Sequence, residues 1–245
     1  MLKEYKFRYK GTPALALSFE NQEKGVTKLA GYKESSFKTT YDGKSSRLIW
    51  HNKASDIEIR REYWRVKGED PYLIHHLTTL TTQTSKGHAD MKDLARVRLH
   101  LGSIRPINRL YNLFDDSQTY INVGYYNAGE EKDVGCRCAN CSGRIDGAED
   151  EFWQTNEFSD SGPPFSLTQA KWSCVNNRFF VNLIRPIKEP RDAVVRASII
   201  DIENSDSKGV SGSLSFPFEI DPVGNRRVEI TYYAGPKDYT RLQAL

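Results

Sequence analysis

Apolar side chains recur at every second position through most of this chain, and that period limits what it can become. In "RVRLHLG", Val97, Leu99 and Leu101 fall on one side, and Arg96, Arg98 and His100 on the other. In "SGSLSFPFEI", Leu214, Phe216, Phe218 and Ile220 alternate with Ser213, Ser215, Pro217 and Glu219. In "RVEITYY", Val228, Ile230 and Tyr232 alternate with Glu229, Thr231 and Tyr233. A period of two is that of a β-strand with one buried face. "SDIEIRREYW" begins with Ile57 and Ile59 inward but favours Trp64 and Val66 past Arg61, which predicts a bulge or a strand buried on both faces. "RFFVNLIRP" and "AVVRASIIDIEN" are β-branched and aromatic runs, ended by Pro186 and by the cluster Asn204, Ser205, Asp206, Ser207. Pro217 predicts an edge or bulge position, because proline cannot donate to a ladder.

Helical spacing is rare. It is confined to 239–245, where Leu242 and Leu245 follow a turn at Gly235-Pro236 and a capping Asp238, and to a turn around 106–114. Strands follow strands without intervening helices, so the expected fold is all-β, a single antiparallel sandwich over residues 1–245 with a short C-terminal helix. At 245 residues such a chain can bury about 70% of its unfolded surface.

Residues 127–169 depart from this pattern. They are rich in Gly, Ser, Asp and Glu, and they hold three of the four cysteines. The stretch is too long for an ordinary loop and reads as an irregular insert in the sandwich, carrying a small strand or turn of its own. Cys136, Cys138 and Cys141 form C-x-C-x-x-C, with Cys174 following alone in an apparent strand. Three readings stay open: disulfides among Cys136, Cys138, Cys141 and Cys174, a tetrahedral zinc site on the same four thiolates, or free thiols with Cys174 buried beside Trp172.

Other chemistry is sparse. The histidines are His51, His75, His76, His88 and His100. The adjacent His75 and His76, with His88 and Asp90 beyond, suggest a metal site, but neighbours in a strand point to opposite faces, so His75 and His76 cannot easily share one ion. Asp115-Asp116 and Glu149-Asp150-Glu151 are expected in polar loops, where nothing shifts a carboxylate toward acid–base work. No nucleophile elbow, zinc-protease or phosphate-loop motif occurs, and no residue is nominated as catalytic or cofactor-binding. Lys and Arg total 35 against 32 Asp and Glu, and this balance of +3 excludes a nucleic-acid footprint. No apolar run nears the roughly 18–20 residues that span a bilayer, and no signal peptide opens the chain, which as given reads as soluble. The aromatics, among them Tyr125-Tyr126, Phe152-Trp153, Phe179-Phe180 and Tyr232-Tyr233, are read mainly as core, though a cleft lined by such rings could stack a sugar or hold an apolar segment.

Four stretches in order carry a resemblance. "FENQEKGVTKLAGYK" looks like a strand-turn-strand in which a glycine precedes the second strand. "DIEIRREYW" with "PYLIHHLTTLTTQT" looks like a central hairpin, and "KWSCVNNRFFVNLIRP" looks like a later one. "RVEITYYAGPKDYTRL" looks like a strand, a Y-x-G-P-K turn at Tyr233, Gly235, Pro236 and Lys237, and a helix. Together they resemble the large periplasmic domain of the YidC family of bacterial membrane protein insertases. Residues 127–169 have no counterpart in that pattern, and the hairpin's usual Asn is replaced in "TTQTSKG". The resemblance implies a twisted β-supersandwich similar to galactose mutarotase and other sugar-binding enzymes. It implies a non-catalytic domain on the periplasmic face of the bacterial inner membrane, with Sec translocon components and nascent membrane proteins as partners and no cofactor. The helix begun at 238–245 would lead into a membrane part outside this chain. The alternative function is a sugar-binding or aldose-epimerase-like protein of the mutarotase fold, which needs His76 or His100 beside a glutamate.

Overall fold

The computed structural model describes residues 14–21, 25–27, 38–41, 45–54, 56–104, 122–127, 149–154, 165–177, 179–201 and 208–243. The first strands are β1 Leu17–Asn21, β2 Gly25–Thr27, β3 Lys38–Tyr41, β4 Ser45–Ala54, β5 Ile57–Val66 and β6 Leu73–Thr81. Helix α1, Ser85–Lys92, leads to β7 Arg96–Ile104, β8 Asn122–Asn127 and β9 Glu149–Gln154. Then come β10 Phe165–Asn176, β11 Phe180–Pro186, β12 Arg191–Asp201, β13 Lys208–Pro217, β14 Glu219–Ile220, β15 Arg226–Pro236 and helix α2 Tyr239–Gln243. The strands hydrogen-bond in the order β2-β1-β7-β13-β12-β10-β11-β15-β6-β5-β4-β3, with β8, β9 and β14 off this path. Every pairing is antiparallel. The all-β antiparallel class expected from the alternation is the class observed.

The two halves of this sheet fold against each other through β10. Its first residues pair with β12, it pairs with β8 from Ala170 with a register shift between Ala170 and Trp172, and from Ser173 onward it also pairs with β11. One core fills the space between the halves. Val97, Leu99, Leu214 and Val195 come from one side, and Ile57, Ile59, Leu80 and Ile230 from the other, all 0% exposed. Burying each such aliphatic side chain contributes about 2 kcal/mol. Polar bonds cross the same space. Arg61 Nη2 donates to the Leu15 carbonyl (2.5 Å), while the Tyr232 hydroxyl (3.4 Å) and Asn182 Nδ2 (3.2 Å) donate to the Leu101 carbonyl. Leu15 adopts a left-handed φ of 58°, held by Arg61 on its carbonyl and by its own N–H on the His100 carbonyl (2.7 Å). Gly102 (φ 82°) takes a conformation open to glycine, and a Cβ there would meet Ala14 at 3.0 Å.

Five local expectations need correction. Strand β5 keeps a regular register with β4 and β6, so no bulge follows Arg61, and of the two readings it is burial on both faces that holds locally, at the adjacent Arg61 and Glu62. The inward side continues through Arg61, which is buried, while Val66 is 44% exposed. The change of phase read from the sequence is a charged residue occupying a core-facing position. In β13 the serine side is also covered: Ser211, Ser213 and Ser215 are all buried. Ile220, expected inward, is 62% exposed at the end of the short β14. Gly235 and Pro236 are the last residues of β15, paired with Val181 and Phe180, and the chain turns one residue later, where Asp238 N–H bonds the Pro236 carbonyl (2.9 Å). Finally, α1 was not anticipated. Thr84 caps it by accepting from Gly87 N–H (2.9 Å), but only Gly87 and Met91 are buried, so its apolar stripe is too thin to read. Helix α2 begins as expected, with Asp238 Oδ1 accepting from Arg241 N–H (3.2 Å). The turn read at 106–114 lies outside the described residues.

Candidate functional site

The polar side of β1, β7, β13 and β12 is the most organised set of charged groups among the described residues. Alternation places it. Glu20 stands opposite Arg96, Ser18 opposite Arg98, Ser215 opposite Arg98 from the other flank, and Arg196 opposite Ser213. Because β13 offers the small side chains of Ser211, Ser213 and Ser215 on this side, long side chains from its neighbours can lie across it. The Glu20 carboxylate reaches over β7 to accept from Arg98 Nε (2.7 Å), Arg196 Nη1 (3.1 Å) and the Ser215 hydroxyl (2.8 Å), with Arg96 Nε at 3.6 Å. Arg98 Nη2 makes a second, shorter contact with the same carboxylate. Arg96 Nη2 donates to the Ser215 carbonyl (3.1 Å) and to the carbonyl of Asp192, a residue in the left-handed region with φ 56°.

The electrostatics follow from this crowding. Burial by itself would raise the Glu20 carboxyl, but the Ser215 hydroxyl and the Arg98 and Arg196 guanidiniums outweigh it and hold the group below its ordinary value. Burial, then the like charges of Arg98 and Arg96, push Arg196 down against the pull of Glu20. His100 continues the same row, hydrogen-bonded to the Ser18 hydroxyl at 3.2 Å. Burial and the neighbouring Arg98 lower it to about 4, so it is a neutral imidazole at pH 7. Three guanidiniums meet the Glu20 carboxylate, and the Asp192 carboxylate also acts on Arg96, so the trough keeps one positive charge in excess.

His76 sits elsewhere, in the core between the halves. Its Nε2 meets the Thr78 hydroxyl (2.8 Å) and Arg61 Nη2 (3.4 Å), its Nδ1 faces the Glu62 carbonyl (3.1 Å), and its ring stacks on Tyr63 at 4.4 Å. Burial first, then Arg61, keep it neutral, against the opposing pull of the Glu62 carbonyl. His75 points to the other face as expected, bonded to Glu69 (2.6 Å) and stacked on Trp64. Among the described residues, neither His76 nor His100 hydrogen-bonds a glutamate side chain: His76 meets the backbone of Glu62, and His100 meets the Ser18 hydroxyl.

The residues of the Y-x-G-P-K stretch are brought together in a knot on the outer face of the sheet. Tyr233 is buried there with Cys174, Val181 and Leu183, and Leu242 of α2 packs against the same cluster. The Tyr233 hydroxyl donates to the Pro236 carbonyl (2.8 Å). Lys237 Nζ donates to Asn176 Oδ1 (3.1 Å), and its N–H bonds the Phe179 carbonyl (2.7 Å). Gly235 is bare because Tyr72 lies on it: a Cβ would come within 2.6 Å of the Tyr72 ring. Tyr72 in turn carries the Arg241 guanidinium at 5.5 Å, which pairs with Asp70 (2.7 Å).

Cys174 is buried in this cluster, with its sulfur 3.6 Å from Asn176 Nδ2. Cys136, Cys138 and Cys141 lie outside the described residues, as do His51's side chain and Asp115-Asp116. Among the described residues no group of three or more His, Cys, Asp or Glu side chains is placed to hold a metal, and no helix is long and apolar enough to cross a membrane. An open cleft of about 470 Å³ lies beside the trough, lined by residues from 186–192, 216–220 and 227–229, Asp192 among them.

The trough residues Glu20, Arg96, Arg98, Arg196, Ser213 and Ser215 were not singled out from the sequence. The available signal was the glycine-serine run of β13 beside an Arg-x-Arg-x-His strand, since small residues on one side of a strand leave room for long cations from its neighbours.

No protein-family model matches the chain, and no curated protein matches it. Among solved structures it is similar to a heparan sulfate lyase from Pedobacter heparinus, at 8% identity and a TM-score of 0.35 over 82% of this chain and 21% of that one. The chain thus spans about a fifth of the length of that enzyme. It is also similar to a structure from Escherichia coli K12 described as a candidate aldose 1-epimerase, at 8% identity and a TM-score of 0.40 over 89% of this chain and 79% of that one. A galactose mutarotase related enzyme from Lactobacillus acidophilus matches at 7% identity and a TM-score of 0.36 over 82% and 71% of the two chains. These likenesses concern fold, and no function is carried across them.

Proposed function

We propose that this chain is the extramembrane β domain of a YidC-type membrane protein insertase, a non-catalytic module at the periplasmic face of the bacterial inner membrane. In this reading it docks translocon components or segments of nascent membrane proteins. The observation that supports it is the C-terminal knot. Tyr233, Gly235, Pro236 and Lys237, by which the sequence resembles that family, fasten the end of β15 to β10 and to Tyr72, and Arg241 and Leu242 of α2 are held against the same residues. A helix fixed in this way has a set direction relative to the sheet. That suits a domain whose faces must keep a constant angle to a membrane-embedded half. In cells, the parent insertase should co-purify with translocon subunits, and deletion of residues 1–225 should abolish that recovery. Equal recovery of the subunits with the shortened form would overturn the docking role.

A second reading, a sugar-binding or aldose-epimerase-like protein, has one observation in its favour: the trough sets a carboxylate, guanidiniums, serine hydroxyls and a neutral imidazole along one sheet face. Such groups suit sugar hydroxyls. Anomer interconversion of glucose or galactose, followed by NMR, would establish this reading if it ran above background and fell at least tenfold in both Glu20→Gln and His100→Ala. A background rate in the wild-type protein leaves the insertase reading in place.

A further inference from the structure

The trough is built for one more negative group than the chain supplies. Its guanidiniums are shielded rather than freely solvated, with side-chain exposures of 21% for Arg96, 15% for Arg98 and 35% for Arg196, around a Glu20 side chain at 9%. Both carboxylate oxygens are already engaged. Among the described residues, Nη1 of Arg96, Nη1 of Arg98, and Nε and Nη2 of Arg196 have no hydrogen-bond partner. These donors sit beside the buried Ser213 and the Ser18–His100 pair, on the same side of the sheet. Guanidinium forks match the spacing of phosphate and sulfate oxygens, and a charge-assisted bond formed away from bulk water is stronger than one at an open surface.

We propose that Arg96, Arg98 and Arg196 form a binding site for a tetrahedral oxyanion, a phosphate or sulfate group, with Glu20 holding the three cations in place. Two features set the class of ligand. Three guanidiniums match an anion with three or more oxygens better than a carboxylate with two, and His100, being neutral, can offer a ring N–H or accept one. Arg196 is the most accessible of the three and forms the mouth of the site. The inference is independent of the insertase reading and stands or falls separately from it.

Calorimetric titration with inorganic phosphate at constant ionic strength tests it, using sulfate as a second tetrahedral oxyanion and acetate as the two-oxygen control. Phosphate and sulfate should bind saturably, with acetate at least about tenfold weaker. Arg196→Gln should weaken phosphate about tenfold, the loss of one charge-assisted bond. Glu20→Gln removes the internal competitor and should tighten phosphate about tenfold; if that variant folds poorly, Arg196→Gln alone decides. The source of the group is read from vesicles. Retention on phosphatidylglycerol but not phosphatidylcholine vesicles, lost in Arg196→Gln, identifies a lipid headgroup, whereas phosphate binding without vesicle binding identifies a free phosphorylated or sulfated ligand. Heats no larger than those of chloride at equal ionic strength, or phosphate binding unchanged in Arg196→Gln, would overturn the proposal.

Discussion

Glu20 is a single carboxylate from β1 that holds together side chains from β7, β12 and β13. Replacing it with glutamine leaves three guanidiniums facing one another, and the expected loss at pH 7 is about 2–3 kcal/mol, below the full value for a deeply buried pair because Arg196 is partly solvated. Its acidity gives the loss a pH signature. The folded carboxyl lies below its ordinary value, so the ionised form stabilises the fold at neutral pH and that contribution disappears as pH falls through the lowered folded value. Urea midpoints should therefore drop faster with acid in the wild-type protein than in Glu20→Gln, and the two should converge at low pH. His100 acts over a different window. Its folded value is about 4 against an ordinary 6.5, so between those pH values the unfolded chain takes up a proton that the folded chain refuses, and stability declines as pH falls. His100→Gln should flatten the midpoint curve over that interval, and a slope unchanged from wild type would show that His100 is not its source.

At the level of elements, the contact between β15 and Tyr72 explains a glycine that looked like turn chemistry. Gly-Pro is the commonest sequence sign of a turn, but here the glycine is bare because a ring packs on the strand, and the proline, ending β15, costs the ladder no interior bond. Gly235→Ala should cost about 1–3 kcal/mol by overpacking, and somewhat less in a Tyr72→Ala background. That background removes the ring at 2.6 Å but keeps the Tyr72 Cβ at 2.7 Å and the Tyr233 ring at 2.9 Å. Additive losses in that cycle, measured by denaturant unfolding, would place the glycine's role elsewhere. The same limit of local reading accounts for β13 and β5. Alternation showed which side of "RVRLHLG" and "SGSLSF" faces the core, and Val97, Leu99, Leu101, Leu214 and Phe216 are where it put them. It could not show that arginines from other strands roof over Ser213 and Ser215, or that Arg61 stays inward because the Leu15 carbonyl waits across the core. Both depend on partners tens of residues away.

Over the whole molecule, β10 is the strand shared by the two halves, and the alternation that predicted an all-β chain could not reveal how the strands are ordered. Ala170, fully buried where the register shifts, donates its N–H to the Pro190 carbonyl at 3.0 Å. Ala170→Pro removes that donor and should cost about 3 kcal/mol or more. Because the halves share a core, far-UV circular dichroism and tryptophan fluorescence should lose signal together; two separated transitions would mean that the halves fold independently. The place of β15 has a temporal consequence. It is the last strand of the described chain, yet it hydrogen-bonds to β11 on one side and β6 on the other. While a ribosome is making this protein, the hairpins of β3 to β6 therefore have no seat against the strands that follow them until residue 236 has emerged, and for all that time their unpaired edge is open to a chaperone or to another nascent chain.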